Sequence, residues 1–367
     1  MTKQMLFAAI AGIMSLLSLL AGSGLGRDYD IYPITACLVA ALYVAGPVQY
    51  TLIRGHIRLR ELLLTLGLLA VVGLWPLIKG YGEIGLEYLW LLLLPYVVGQ
   101  LSLSREDIKI FGFVCGISGG VILSAYVYLG VFENWNLNTL SMAGFMGCAV
   151  CAAVPWESWG EKLFYRILLG CMIVLVLQLD SRSCLLGLTV LLLFSLKILK
   201  MDVLLKKDWL RRMLLVLPLL IALAVVLFKN SEIFVRLNAW TMEKFDKPVF
   251  NGRDFIWEQG LKDLSRSPLF GSGKLNNGYW HNCAIACLTA FGIVGYGLWV
   301  LYFENIMVDA KKWAGDPCLS SCTAAFLTIM LQQSFELGLI STEGSMLPYL
   351  IIGIMLGRMR YLRHQNR

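Results

Sequence analysis

Charge is what this chain has least of: Asp, Glu, Lys and Arg make up 15% of its 367 residues, where soluble domains carry about a quarter. With 58% hydrophobic residues and a mean hydropathy of +0.71, that shortage excludes a water-soluble domain, because one core could not hide so much apolar surface. Histidine is nearly absent, with three in all. No external cluster of carboxylates, cysteines and histidines offers the ligand set of a divalent ion, so neither a metal nor a cofactor is expected. A basic stripe is missing too, since the net charge of +7 is scattered over many short loops, and nucleic acid is excluded as a partner. Gly271-Ser272-Gly273 lacks the following Gly-Lys-Ser of a phosphate loop. Neither internal repeats nor low-complexity tracts occur. Gly22, Ser23 and Gly24 imitate a cleavage site, but Met5 to Leu20 reads as a first spanning helix rather than a cleaved leader.

What is present is one apolar run after another, each near the roughly 20 residues a spanning helix needs. Runs such as Leu62 to Ile78 are apolar almost throughout, which excludes the alternating strands of a β-barrel. The expected fold is therefore all-α: a polytopic integral membrane protein with about twelve transmembrane helices. They fall near residues 5–25, 31–53, 61–78, 86–103, 110–130, 139–155, 164–179, 183–199, 212–228, 281–302, 318–340 and 346–358. Most of the cysteines lie inside these runs. Cys148 and Cys151 form a C-x-x-C, but without a second pair or a neighbouring histidine they read as small hydrophobes.

Cations mark the even-numbered connections and both ends: Arg54, Arg58 and Arg60; Arg105 and Lys109; Lys162 and Arg166; Lys197 to Arg212; Lys311 and Lys312; and the tail from Arg358. The short odd-numbered connections carry few, among them Arg27, Lys79 and Arg182. The positive-inside rule then predicts that both termini are cytoplasmic. It also divides the chain into helices over residues 1–228, one long external loop over 229–280 between the ninth and tenth helices, and three last helices with a basic tail over 281–367. Loops of that length in a compact protein are functional or disordered, and this one carries order signals. Asn251 is expected to cap a helix running to Leu264, with Asp254 suiting its N-terminal end. Phe255, Ile256, Trp257, Leu261 and Leu264 give that helix an apolar face for the outer membrane surface.

Few external groups carry chemistry. Arg182, in Asp180-Ser181-Arg182-Ser183 at the outer end of the seventh helix, stands near membrane depth, where an arginine is costly unless paired or used. Snorkelling, or pairing with Asp180, is its bland alternative. Arg253 opens the loop helix in Gly252-Arg253-Asp254-Phe255-Ile256-Trp257, where backbone N–H groups and a forked guanidinium together hold anions. His281-Asn282 closes the loop, and imidazole is the side chain that exchanges protons near neutral pH. Glu336, on the expected eleventh helix after Gln332 and Gln333, is a further polar candidate, as is Glu343 in the next external loop. Lys274, Arg236 and Arg266 are weaker contacts for phosphate or glycan, because charged loop residues are usually solvated.

Taken in order, Ser181-Arg182-Ser183, Gly252-Arg253 with Trp257, Ser267-Pro-Leu-Phe-Gly-Ser-Gly273, His281-Asn282 and Ala290-Phe-Gly-Ile-Val-Gly-Tyr-Gly297 resemble the O-antigen ligase and O-antigen polymerase superfamily. The motifs cover about Asp180 to Leu298, and elsewhere the likeness is in hydropathy and helix number. The resemblance implies an inverting, metal-independent membrane glycosyltransferase in a bacterial cytoplasmic membrane. Its donor would be an undecaprenyl-diphosphate-linked glycan, and its site would face outward. Such enzymes either polymerise repeat units or, as ligases, move the glycan to another acceptor such as a lipid A core. Chain-length regulators or flippases are candidate partners. Carried over residue by residue, Arg182 and Arg253 would hold the donor diphosphate and His281 would assist the acceptor hydroxyl. Apart from the resemblance, Lys274, Arg236 and Glu336 are further candidate substrate contacts, and Asn282 is a candidate either to contact substrate or to fix the imidazole or cap the helix. This chain departs in its compact loop, which leaves the acceptor open. The rival of another class is a transporter of lipid-linked sugars, for which the intramembrane Pro47, Pro76, Pro95 and Pro218 speak; the lack of an inverted repeat speaks against it. A peptidoglycan-type glycosyltransferase shares the same donor chemistry.

Overall fold

The computed structural model describes residues 3–21, 59–130, 137–246, 248–275, 280–340 and 346–366. Among these residues the only regular structure is helix. The elements are α1 (Lys3–Ala21), α2 (Leu59–Leu68), α3 (Gly82–Gly99), α4 (Arg105–Leu129), α5 (Leu137–Ala152), α6 (Trp159–Gln178) and α7 (Arg182–Ser195). They continue with α8 (Met201–Lys206), α9 (Asp208–Phe228), α10 (Glu232–Phe245), α11 (Arg253–Arg266), α12 (Cys283–Lys311), α13 (Pro317–Gln332) and α14 (Met346–Gln365). Helix α2 runs on through a π-helical stretch, Leu69–Leu74, into a last turn at Trp75–Ile78. The expected run 31–53 and Glu343 lie outside the described residues. Each other run overlaps a helix, not always to its expected end. By length and composition three of them, α4, α9 and α12, can cross a membrane, and several further apolar segments are shorter.

Burial sorts the helices into an interior and a shell. From Thr139 to Ala152, α5 is buried on every side, and so is most of α13, the pattern of a helix surrounded by other helices. Its partner α4 comes close because the seam is made of small residues. A Cβ on Gly119 would stand 3.3 Å from the Gly144 Cα, and one on Gly147 only 2.6 Å from the Cys115 carbonyl oxygen, which is the small-residue packing that apolar solvents demand. The shell helices turn large apolar side chains outward instead. Leu66 on α2, Leu77 and Ile78 in the turn that ends it, Ile167 and Leu177 on α6, and Leu220 and Leu227 on α9 are all exposed, a surface that water disfavours.

One end of the bundle is tied by charge. Arg211 on α9 is fully buried; its Nη2 and Nε donate to the Glu304 carboxylate of α12 at 2.9 and 3.1 Å, and its Nη1 donates to Asp208 at 3.0 Å. Lys311 joins the same Asp208 at 2.9 Å and Arg212 the same Glu304 at 3.0 Å. In the sequence these cations are only loop markers; in the structure Glu304, inside an apolar helix, is the counter-ion of Arg211 and Arg212.

At the other end the structure corrects three expectations. The segment after α9 holds two helices where one was expected, α10 being the addition, with Ser231 accepting from the Phe234 N–H as its N-cap. Asn251 is not the cap of α11: Gly252 is, at φ 80°, with Asn251 itself at φ 50°, so the chain makes a left-handed turn that carries no side-chain cap. Nor is the whole apolar face of α11 free for a membrane surface, although Phe255 is exposed. Trp257 and Gly260 are buried against α12, Trp257 Nε1 donates to the Trp280 carbonyl at 2.7 Å, and a Cβ on Gly260 would meet Ile285 at 2.5 Å.

The two glycine-rich motifs meet each other. Within α12 Gly292 leaves helical geometry at φ 68°, and the 268–273 turn fills the break. Ile293 and Val294 donate to the carbonyls of Pro268 and Leu269 at 2.9 and 3.1 Å, while Ser272 and Gly273 donate to those of Thr289 and Ala290 at 2.8 Å. A side chain at Gly292 would come within 2.2 Å of the Leu269 oxygen. The expected single span 281–302 is thus a broken helix, and its opened backbone is satisfied by the loop, the form in which irregular backbone survives away from water.

Candidate functional site

Helix α13 stops at Gln332 instead of running to 340 as expected, and this break makes the site. Two buried glutamines build the turn: Gln333 Nε2 donates to Gln332 Oε1 at 2.5 Å, and Gln333 Oε1 accepts from the Leu339 N–H at 2.8 Å. The turn swings Glu336 off the helix. Its carboxylate gathers residues distant in the chain: Oε1 accepts from Arg253 Nη2 and from Ser183 Oγ, each at 3.1 Å, and Oε2 lies 3.7 Å from His281 Nδ1. The carboxylate is 12% exposed and the Arg253 side chain 21%, so both are partly shielded from water.

Beside it opens a cavity of about 600 Å³ whose polar wall includes Asn138, Asp180, Arg182, Ser183, Arg253 and Glu336. Phe250 and Phe335 form its aromatic side. They belong to a stack that ties the loop to the bundle: Phe234 lies on Phe250 with centroids 5.2 Å apart, and Phe250 and Trp257 each approach Phe335 at 6.4 Å.

Three helix starts converge here, and each is reached through a left-handed residue. Asp180 at φ 53° precedes Ser181 and Arg182, the first residue of α7; Asn251 precedes Gly252 and Arg253, the first residue of α11; His281 is itself at φ 46°, just before α12. Such geometry costs a non-glycine residue about 1–3 kcal/mol and collects at functional sites. Helix starts carry a partial positive charge and unpaired N–H groups. At α7 and α11 no side chain caps them, though the Arg253 N–H itself donates to the Phe250 carbonyl at 3.0 Å, whereas α12 is capped by Asn282. Arg182 is exposed toward the cavity and has no ion-pair or hydrogen-bond partner among the described residues.

The other candidates lie elsewhere. Asn282 is fully buried and its amide is fully used: Oδ1 accepts from the Ala284 and Ile285 N–H groups, and Nδ2 donates to the Pro218 and Ser334 carbonyls at 2.9 Å each. It pins the start of α12 to the turn that bears Glu336 and has no donor left for substrate. Arg236 pairs with Glu232 at 2.5 Å, both side chains almost wholly in solvent. Arg266 pairs with Asp263 at 3.0 Å, and the Lys274 ammonium stands 6.0 Å from the Tyr81 ring, away from the cavity wall. In the loop, Glu258 is held at a pKa of about 2 by hydrogen bonds from Lys229 and Lys262. Among the described residues no three His, Cys, Asp or Glu side chains stand together as a metal would need. No family model matches the chain, and no curated protein matches it.

Proposed function

We propose that the protein is a membrane glycosyltransferase that polymerises undecaprenyl-diphosphate-linked oligosaccharide repeat units at the outer face of a bacterial cytoplasmic membrane. In this reading the chain crosses the membrane about twelve times, with both termini inside and the loop of α10 and α11 outside. The observation that carries the reading is the pair of uncapped helix starts, each led by an arginine, on one cavity wall. One such start is a phosphate site, and two side by side suit a diphosphate. The aromatic side formed by Phe250 and Phe335 suits the faces of sugar rings.

The chemistry follows from the groups present. An acceptor hydroxyl gives its proton to His281 as its oxygen attacks the anomeric carbon, and the carbon–oxygen bond to the diphosphate breaks with inversion. The departing lipid diphosphate takes the bonding pair, and Arg182, Arg253 and the N–H groups of the two helix starts take up its growing charge. Glu336 faces the Nδ1 of His281, favouring the tautomer whose Nε2 is free to accept the proton. Diphosphate leaves without protonation, so the acid of a glycosidase carboxylate pair has no counterpart here.

The test is a purified chain in detergent given a lipid-diphosphate oligosaccharide and no energy source, with EDTA present. Longer glycan on lipid diphosphate supports the polymerase; transfer only to an added second acceptor makes it a ligase. Movement of the lipid across a vesicle without bond formation makes it a transporter. A cysteine-accessibility scan that finds residues 229–280 on the cytoplasmic side would overturn the orientation and the site with it.

A further inference from the structure

The helices that frame the Glu336 cavity frame a second one at their opposite ends. Helix α6 has 20 residues, so at 1.5 Å per residue the two cavities are separated by about 30 Å. The second has a volume of about 590 Å³ and lies among the ends of α5 and α7, the starts of α6 and α13, and α8. Four lysines line it: Lys162, Lys197, Lys200 and Lys206. Only Lys206 is neutralised, by Asp202 at 2.8 Å; that carboxylate also feels Lys200, and no acidic group stands within ion-pair distance of Lys162, Lys197 or Lys200 among the described residues. Lys197 is held in the left-handed region at φ 61° just past the end of α7.

Trp156 and Tyr165 give the wall an aromatic part. The flank is apolar: Leu196, Ile198 and Leu199, interleaved with Lys197 and Lys200, are exposed. The cavity thus sits where an apolar outer surface gives way to a basic rim.

We propose that this cavity binds a phosphate-bearing headgroup, supplied by an anionic phospholipid whose acyl chains lie along Leu196, Ile198 and Leu199. The lysines hold the phosphate, and basic pockets between helices are the setting in which such headgroups bind. The site is separate from the donor cavity and stands whether or not the protein transfers sugars.

The test is native mass spectrometry of the full-length chain in a neutral detergent, titrated with phosphatidylglycerol, with phosphatidylcholine of the same acyl chains, and with inorganic phosphate. Phosphatidylglycerol is retained in preference to phosphatidylcholine. Replacing Lys162, Lys197 and Lys200 together by glutamine weakens its retention on the order of 100-fold, at about fivefold per cation, and leaves phosphatidylcholine unchanged. Equal retention of the two lipids, or full retention by the triple variant, would overturn the proposal. Displacement of the lipid by inorganic phosphate at equal concentration would overturn the lipid as the source.

Discussion

Replacing Arg253 by alanine should do two things at once, and a second substitution separates them. The guanidinium donates to Glu336 at 3.1 Å across a partly shielded boundary of the cavity. In the proposed complex it turns to the donor diphosphate. A hydrogen bond to a charged group contributes about 1.5–3 kcal/mol, so its loss weakens donor binding about 10- to 150-fold. The alanine variant also leaves Glu336 facing the cavity with Ser183 as its hydrogen-bond donor, and the unneutralised carboxylate repels a diphosphate. Arg253→Ala combined with Glu336→Ala removes that repulsion, so the double variant should bind the donor about tenfold more tightly than the single one, the order of a charge-pair coupling. Turnover should not follow. Loss of a preorganised charge-stabilising donor costs on the order of 100- to 1000-fold, and both variants should stay at that level. Donor affinity is measured with a fluorescent lipid-diphosphate oligosaccharide on purified protein, and turnover by glycan length on gels. Unchanged binding and product formation in Arg253→Ala, or weaker binding in the double variant than in the single, would refute the reasoning.

Arg182→Ala should likewise lose about 100-fold or more in product formation while inserting normally, and Arg182→Lys should restore only part, because it keeps charge but not the fork; glycan gels with membrane levels from immunoblots check both. His281→Ala should lose transfer by roughly 10²- to 10⁴-fold while its donor affinity stays near that of the parent, whereas poor donor binding with normal product at saturating lipid would place His281 at the diphosphate. Glu258, held near pKa 2 against about 4.3 in the unfolded chain, contributes to loop docking above pH 4.3, and that contribution fades as pH falls toward 2; Glu258→Gln should abolish this acid dependence in limited proteolysis of residues 229–280. Arg211→Met should destabilise in thermal unfolding, but by less than the about 3–5 kcal/mol of a wholly unpartnered buried charge, because Glu304 keeps Arg212, while Arg211→Met with Glu304→Met should recover most of the loss.

Much of the helical framework was legible because apolar run length and its interruptions are local properties of sequence. The long loop was legible as an ordered insertion, but its second helix was not: of residues 232–245 the apolar side chains Ile233, Val235, Leu237, Trp240 and Met242 are exposed, so its apolar pattern does not mark a face packed into the bundle. The cap of α11 was misassigned because Asn251 and Gly252 both favour left-handed geometry and only the fold decides which of them precedes the first helical residue. The partners of Arg211 were hidden because ion pairing between helices leaves no spacing signature; a glutamate inside an apolar run, as at Glu304, is the signal to have followed.

Glu336 shows best what a single sequence hides. Its neighbours along the chain place it on a continuing helix, because Gln332 and Gln333 are good helix formers and nothing after them is a strong breaker before Gly338. What stops the helix is tertiary. The Cys283 N–H takes the Gln333 carbonyl at 3.1 Å, Asn282 takes that of Ser334, and the Gln333 side chain takes the Leu339 N–H. The start of α12 thereby competes successfully for the very groups that would have continued α13. One set of hydrogen bonds therefore ends one helix, starts another, and fixes the turn of Glu336 beside His281. Asn282 is the helix cap that was one of its two expected roles, and it acts one step behind the substrate: its four hydrogen bonds set the relation between the carboxylate and the imidazole, and through Glu336 the position of Arg253 on the cavity wall.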